Sequence, residues 1–288
     1  MMYLLLSVSA STLLFVIFKL FEKYKVNTLQ AIVVNYITAC ITGILSYNSP
    51  IHINEIISSK WFYGALILGF LFISVFNLMA LTAQRNGLSV ASVASKMSVI
   101  IPVIFGIYIY KESIGMQKIT GIIIALIAVY LTSVKSQKSS KGLNKSLLFP
   151  FLLFFGSGVI DASIKYLETT YVSKNGIPIF SATIFSFAAT IGVVVLFIKA
   201  IKGQFKFNYK SILGGILLGI VNYYSIYFLL KALQYKNLES STLFTVNNVA
   251  IVMVSTLIGL LLFKEKISKI NWLGILLAII SIIMVTLS

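Results

Sequence analysis

The sequence predicts an all-α membrane protein with ten transmembrane helices, and three observations support this prediction. First, 59% of the 288 residues are hydrophobic and only 10% are charged, whereas soluble domains carry about 25% charged residues. Second, apolar runs recur from end to end, and each is long enough for a helix to cross the bilayer, which takes about 20 residues. Third, runs such as 122–127 do not alternate between apolar and polar residues, so they do not fit transmembrane β-strands.

The ten spans follow one another with short connections. The first lacks a basic leading segment and a small-residue cleavage site, so we expect it to be retained and not removed as a signal peptide. The most polar connection, 135–146, is rich in Lys and Ser and separates the fifth span from the sixth. The predicted spans lie at 3–21, 28–47, 61–82, 88–110, 114–134, 147–168, 178–200, 211–232, 240–263 and 270–287.

The two halves of the chain resemble each other, as expected of an internal duplication. The Lys-Leu-Phe-Glu sequence at 19–22 returns as Lys-Tyr-Leu-Glu at 165–168. Further matches keep the same order: Gly64 and Gly69 with Gly214 and Gly219, Gln84 and Leu88 with Gln234 and Leu238, and Lys111, Glu112 and Gly121 with Lys264, Glu265 and Gly274. We therefore predict two repeats, 1–134 and 147–288, joined by a linker at 135–146. Because five spans per repeat is an odd number, the repeats must insert in opposite orientations, as in many secondary transporters.

The ends of the fourth and ninth spans contain a similar short motif. Tyr110-Lys111-Glu112 and Phe263-Lys264-Glu265 are each followed by a glycine nine residues after the glutamate, and Pro102 lies ten residues before the first glutamate. With ten short helices in two repeats, the whole chain resembles the EamA family of the drug/metabolite transporter superfamily. That family has an apolar-Gly-Glu turn at these places. This chain departs from it with a lysine before both glutamates and with Ser255 where the second repeat would carry a proline.

Composition excludes several kinds of site. Cys40 is the only cysteine and His52 the only histidine, which excludes a disulfide within the chain and the common zinc and haem sites. The sequence contains no P-loop, no His-Glu-x-x-His and no Gly-x-Ser-x-Gly motif. We therefore expect no catalytic residue, no metal and no cofactor, and an intramembrane enzyme is disfavoured. The net charge of +16 is expected to meet anionic lipid headgroups and not nucleic acid.

The distribution of basic residues and the family resemblance imply opposite orientations. Fifteen of the 23 basic residues lie in loops opposite the termini, and seven lie on the side of the termini. The positive-inside rule then places both termini outside, and we favour this orientation. Members of the EamA family usually keep both termini in the cytoplasm. Either way, we expect a multi-pass protein of the cytoplasmic membrane. Its partners would be the lipid bilayer and a small-molecule substrate, and a homodimer is left open.

Asp161 is the acid that lies well inside an apolar run, about 21 Å along the sixth span. Lys165 and Glu168 follow at spacings of four and three residues, so the three side chains share one helix face. One hypothesis is a proton or cation site at Asp161, because ionisable residues within spans mark ion pathways. The alternative is a structural ion pair between Asp161 and Lys165.

Lys96 is a second charged residue within a span, about eight residues into the fourth. A lysine at this depth is far from the headgroups, so we expect it to face a water-filled cavity or a carboxylate. It is a candidate docking point for an anionic substrate group or a counter-ion to Asp161. The Gly-x-x-x-Gly pattern of Gly215 and Gly219, by contrast, predicts close helix packing.

Amide and phenol side chains are concentrated in spans two, three, eight and nine. Each needs a hydrogen-bond partner or water within the hydrocarbon, and bonding between helices is the expected role for any one of them. In the EamA family the third, fourth, eighth and ninth helices line the central cavity, so the resemblance implies that some of these residues bind substrate. The candidates are Asn77, Asn222, Tyr223, Asn247 and Asn248, with Asn35 from the second span.

Two pairs of residues are expected at the membrane boundary. Glu112 and Glu265 each follow a lysine at the end of a span, which predicts a loop ion pair or a helix cap. Trp61 and Trp272 lie at the entrances of spans, which is typical of an interfacial aromatic belt.

Together these observations predict a secondary transporter that moves small organic solutes by alternating access. The lack of a P-loop favours a gradient over nucleotide hydrolysis as the driving force. The resemblance implies amino acids or related metabolites as substrates and export as the commoner direction, and proton coupling through Asp161 is a hypothesis. The alternatives left open are a passive facilitator or channel, a multidrug efflux protein, an intramembrane enzyme and a receptor without flux.

Overall fold

The described part of the chain consists of helices joined by short connections. The structure, a computed structural model, describes residues 2–47, 50–102, 104–105, 115–133, 143–172, 176–233 and 240–286, and no strand occurs among them. Outside these residues lie 135–142 of the predicted linker, the Tyr110-Lys111-Glu112 motif, and Gln234 and Leu238. The helices are α1 (Met2–Lys23), α2 (Thr28–Leu45), α3 (Ile53–Ser58), α4 (Phe62–Arg85), α5 (Leu88–Met97), α6 (Met116–Ser133), α7 (Leu143–Tyr171), α8 (Ile177–Ile201), α9 (Tyr209–Leu233), α10 (Ser240–Leu261) and α11 (Lys269–Thr286).

The apolar helices coincide with the predicted spans. Among the described residues, six stretches are long and apolar enough to cross a membrane, and they match spans one, two, three, six, seven and eight. The other four spans coincide with shorter apolar helices at Leu88–Pro102, Ile119–Thr132, Asn247–Leu261 and Lys269–Met284. The all-helical membrane class is therefore confirmed, whereas ten crossings remain a prediction.

The chain divides into two compact units, and each combines segments from both halves of the sequence. Unit 1 comprises Met1–Leu20, Leu78–Val159 and Tyr224–Ser288, and unit 2 comprises Phe21–Asn77 and Ile160–Tyr223. A compact unit groups residues that contact each other, whereas a repeat groups residues by their sequence match. The predicted repeats 1–134 and 147–288 therefore stay a prediction.

The core of unit 1 forms where α5, α6, α10 and α11 pack together. The α6–α11 contact is close, because a Cβ atom on Gly274 would lie 2.8 Å from the backbone nitrogen of Thr132. In the same contact the Ser281 hydroxyl donates to the Gly121 carbonyl over 2.7 Å. The two glycines that match in the sequence halves thus lie at one helix contact. The buried core residues are Val93, Met97, Ile100, Ala125, Ala128, Val129, Phe154, Val252, Ile275, Ala278 and Ile282.

In unit 2, α2 packs against α8 and α9. Tyr36 of α2 is fully buried, and its ring stacks on Phe185 of α8 with 5.9 Å between centroids. A Cβ atom on Gly215 would lie 2.6 Å from the carbonyl oxygen of Ala31, and one on Gly219 would lie 2.7 Å from that of Asn35. The backbones of α2 and α9 therefore touch along the Gly-x-x-x-Gly pattern, and the prediction that it serves helix packing is confirmed.

The two tryptophans differ in exposure. Trp272 is 46% exposed in the first turn of α11, as an interfacial residue would be. Trp61 is only 8% exposed and packs edge-on against Phe180, with 5.4 Å between ring centroids. Phe180, a residue that is distant in sequence, therefore covers the Trp61 ring within the protein, whereas the interfacial position of Trp61 stays a prediction.

Candidate functional site

A pair of buried amides joins α2 and α9 in unit 2. Asn35 is 0% and Asn222 is 3% exposed, and Nδ2 of Asn222 donates to Oδ1 of Asn35 over 3.3 Å. Nδ2 of Asn35 is buried and donates to no acceptor within the described residues. Because a buried donor without an acceptor costs about 1–3 kcal/mol, this amide is suited to bind an oxygen atom of a solute or of water.

A second buried polar cluster lies in unit 1, where α1, α9 and α10 meet. The Ser7 hydroxyl is 3.1 Å from Oδ1 of Asn247 and 3.3 Å from the carbonyl oxygen of Ser225. Ser7 and Asn247 are at most 1% exposed, and the neighbouring Asn248 is 9% exposed. Ser7 was not among the predicted site residues. Its spacing of four from Ser11, which puts two hydroxyls on one face of an apolar helix, is the pattern that could have revealed it.

The other predicted site residues lie on α4, α5, α7 and α9. Lys96 on α5 and Tyr223 on α9 are partly buried. Asn77 donates its Nδ2 group to the carbonyl oxygen of Ile73 over 2.7 Å, so this amide bonds within its own helix. Asp161 and Lys165 are both exposed on α7, and the Glu168 side chain lies outside the described atoms. Their roles in binding or coupling stay predictions.

The first half of the chain provides a comparison for Lys165. Lys19, its sequence match, donates Nζ to the carbonyl oxygen of Gln84 over 2.9 Å. Gln84 in turn donates Nε2 to the carbonyl oxygen of Phe18 over 3.0 Å. This exchange ties the ends of α1 and α4 together within unit 1. The ion pair of Lys165 with Asp161 and its role in coupling both stay predictions.

A cavity of about 210 Å³ lies at one end of unit 1, between the start of α5 and the α10–α11 connection. Three cationic side chains, Lys19, Arg85 and Lys266, line it together with the acid Glu265. Asn271 also lines it and donates Nδ2 to the carbonyl oxygens of Leu131 and Thr132 over 2.9 and 3.0 Å, which caps the end of α6. Helix ends from both halves of the sequence are therefore joined around a charged cavity.

Glu265 caps a helix that is distant in sequence. Gly87, the N-cap residue of α5, has a φ of +109° and no side chain to accept a hydrogen bond from the first turn. Glu265 supplies the acceptor: Oε1 lies 2.7 Å from the Leu88 nitrogen and Oε2 lies 3.3 Å from the Ser89 hydroxyl. A negative charge at a helix N-terminus is also favoured by the helix dipole. The predicted helix cap is therefore confirmed for Glu265, whereas Glu112 lies outside the described residues.

The residue before this glutamate lies where the family pattern has a glycine, and its backbone conformation is one that glycine adopts without strain. Lys264 has a φ of +50°, a left-handed conformation that costs a residue with a Cβ atom about 1–2 kcal/mol. Glycine avoids this cost. Ser255, at the other departure, lies with its hydroxyl 2.6 Å from that of Ser92, so it joins α10 to α5.

We expect Lys264→Gly to raise the stability of the protein by about 0.5–1 kcal/mol, because relief of the left-handed strain exceeds the entropy that glycine adds to the unfolded chain. Lys266→Gly is the matched control, since Lys266 does not have a positive φ, and it should lower stability or leave it unchanged. Thermal unfolding in detergent measures both. A lower melting temperature for Lys264→Gly would show that the lysine side chain stabilises this turn.

Comparison with known proteins gives matches over the whole chain. Residues 1–134 and 146–287 match the model of the EamA-like transporter family. A protein of Haemophilus influenzae, described as uncharacterized, is 30% identical over 287 residues, which cover 97% of this chain and 95% of the relative. A crystal structure of a protein with 15% identity aligns with a TM-score of 0.58 over 99% of this chain and 97% of the other, which shows a shared fold.

Proposed function

Because this chain belongs to the EamA-like transporter family, we propose that it is a secondary active transporter that exports small organic solutes by alternating access. It is a multi-pass membrane protein, with apolar helices along both halves of the sequence. The proposed architecture has ten crossings in two repeats of opposite orientation. The observation that best supports transport is the family match over both halves, since paired repeats around a central site are a recurrent transporter design.

The proposed substrates are amino acids or related metabolites. The buried polar groups fit this class, because amides and hydroxyls bind the polar groups of such solutes at little cost in desolvation. Asn35 and Asn222 form one group, and Asn247 and Ser7 form another. In this proposal Nδ2 of Asn35, which is buried, donates to an oxygen atom of the solute.

The proposed driving force is a proton gradient that acts through Asp161. A carboxylate on an apolar helix is costly unless it pairs or meets water, so its presence in α7 supports a role in ion movement. The second candidate function is a passive facilitator. A permanent ion pair between Asp161 and Lys165, one turn away, would favour it over proton coupling through Asp161, because the paired carboxylate does not exchange protons.

We expect cells that produce the wild-type protein to release one class of metabolite that cells with an empty vector do not release. Asp161→Asn should lower that release at least tenfold and remove its dependence on external pH, because the amide cannot carry a proton. Glu55→Gln is the matched control, since Glu55 is an exposed acid on α3, and it should behave as wild type. Mass spectrometry of the growth medium measures all four.

The outcomes separate the two candidates. Equal release with an unchanged pH profile in Asp161→Asn, at equal protein levels, would reject proton coupling through Asp161. Release that is independent of any pH or ion gradient would favour the passive facilitator. Identical media from wild-type and empty-vector cells would reject export of common metabolites.

A further inference from the structure

Two loops that are far apart in sequence are held together at one end of unit 2. The first joins α1 to α2 at 24–27, and the second joins α8 to α9 at 202–208. Gln30 binds the second loop through both ends of its amide: Nε2 donates to the carbonyl oxygen of Lys206 over 2.7 Å, and Oε1 accepts from the Asn208 nitrogen over 3.2 Å. Nδ2 of Asn208 donates to the carbonyl oxygen of Lys25 over 3.0 Å, so the loops form one surface.

This surface contains an open cavity of about 480 Å³ with cationic and amide walls. Lys25 and Asn27 line it from the first loop, and Lys206 and Asn208 line it from the second. The sequence supplies further lysines nearby at 23, 202 and 210, whereas Glu22 is the acid next to these loops. The cavity is named the lysine pocket below. Its charge and its hydrogen-bond donors are complementary to a phosphate group.

The backbone at Lys25 has a conformation that suits glycine. Val26 donates its N–H to the carbonyl oxygen of Phe21 over 2.9 Å, and Lys25 donates to that of Glu22 over 3.2 Å. This is the Schellman pattern that ends a helix, and it places Lys25 at the position where glycine is preferred. Lys25 has a φ of +53° there. A lysine in this conformation is unfavourable for the backbone, as at Lys264, so glycine at position 25 would remove the cation without straining the turn.

Exposed aromatic side chains border the lysine pocket. Phe207 is 69% and Tyr209 is 64% exposed, and both line the cavity. The loops follow the ends of apolar helices, which is the depth of the lipid headgroups in a membrane protein. A free phosphate ion would contact the lysines alone. A phospholipid would contact the lysines through its phosphate and the aromatic rings through its acyl chains.

We propose that the lysine pocket is a binding site for the headgroup phosphate of an anionic phospholipid in the adjacent leaflet. Lys25 and Lys206 bind the phosphate, Asn27 and Asn208 shape the wall of the pocket, and Phe207 and Tyr209 contact the acyl chains. The lipid thus bridges two loops from opposite halves of the sequence. This site is separate from the proposed solute site, and its test does not depend on transport.

The test is a titration of the purified full-length protein in detergent with phosphatidylglycerol, phosphatidylcholine or inorganic phosphate, followed by native mass spectrometry. The double variant Lys25→Gly with Lys206→Gln removes both cations, and glycine suits the backbone at position 25. The matched control, Lys60→Gln with Lys269→Gln, removes the same charge from exposed positions elsewhere. Lys206→Gln alone is a further variant, since the loop contact uses only the backbone of Lys206.

We expect the double variant to bind phosphatidylglycerol at least fivefold more weakly than wild type, Lys206→Gln alone at least twofold more weakly, and the control within twofold of wild type. Phosphatidylcholine binding should be the same in all four proteins. Equal loss of phosphatidylglycerol binding in the two double variants would overturn the proposal in favour of general charge attraction. Displacement of the lipid by inorganic phosphate at similar concentration would overturn it in favour of a free-phosphate site.

Discussion

Replacing Gly219 with alanine is expected to lower the stability of the protein by about 3 kcal/mol, because the new methyl group has no room between α2 and α9. Its Cβ atom would lie 2.7 Å from the carbonyl oxygen of Asn35 and 2.6 Å from Cβ of Thr38. Neither contact can be relieved by rotating a flexible side chain end. The two helices must therefore separate, and the contact between Asn35 and Asn222 weakens with them.

The matched control for Gly219→Ala is Gly115→Ala. A Cβ atom on Gly115 meets nothing within 4 Å among the described residues, and its φ is not in the left-handed region. This variant should change stability by less than about 0.5 kcal/mol. Thermal unfolding in detergent distinguishes the two. Equal melting temperatures for both variants would show that α2 and α9 do not touch as described.

Replacing Glu265 with alanine should cost about 2 kcal/mol, because it removes the acceptor of a charge-assisted hydrogen bond at a buried helix end. Leu88 is 0% exposed, so its N–H has Oε1 of Glu265 and not water as its acceptor. The loss of the acid also leaves Lys19, Arg85 and Lys266 around the cavity without its negative charge.

Glu265→Gln separates the contribution of the hydrogen bond from that of the charge, because it keeps an oxygen acceptor and removes only the charge. We expect it to lose about half as much stability as Glu265→Ala, with a loss that shrinks as salt is added. Melting curves at low and high ionic strength measure both effects. If neither variant loses stability at any salt concentration, Glu265 does not stabilise the start of α5.

The helices could be predicted from the sequence, whereas their contacts could not. Apolar runs set the helix positions because hydrocarbon requires a fully hydrogen-bonded backbone. The role of the Gly-x-x-x-Gly pattern followed from residue size alone. The burial of Trp61 did not follow, because it depends on Phe180, which the fold brings from another helix.

For the candidate site, too, residues could be predicted from the sequence, whereas their contacts could not. The sequence predicts that Asn35 and Asn222 each need a hydrogen-bond partner within the hydrocarbon. That they bond to each other depends on the packing of α2 against α9. Glu265 was expected to cap a helix, but no local pattern indicates that the helix is α5, whose first residue is 177 positions away. The lysines of the two loops at 24–27 and 202–208 could be counted in the sequence, and their common pocket depends on Gln30 and Asn208.

The most direct test of the central claim, that this chain is itself a carrier of small organic solutes, is entrance counterflow in proteoliposomes of the purified protein. The vesicles are loaded with an unlabelled mixture of amino acids and then diluted into a trace of the same mixture carrying a radiolabel. We predict that label accumulates transiently above its external concentration, because a carrier with alternating access exchanges internal for external solute. Label that only equilibrates would indicate a channel, and label that enters no faster than in protein-free vesicles would contradict transport of this class of solute.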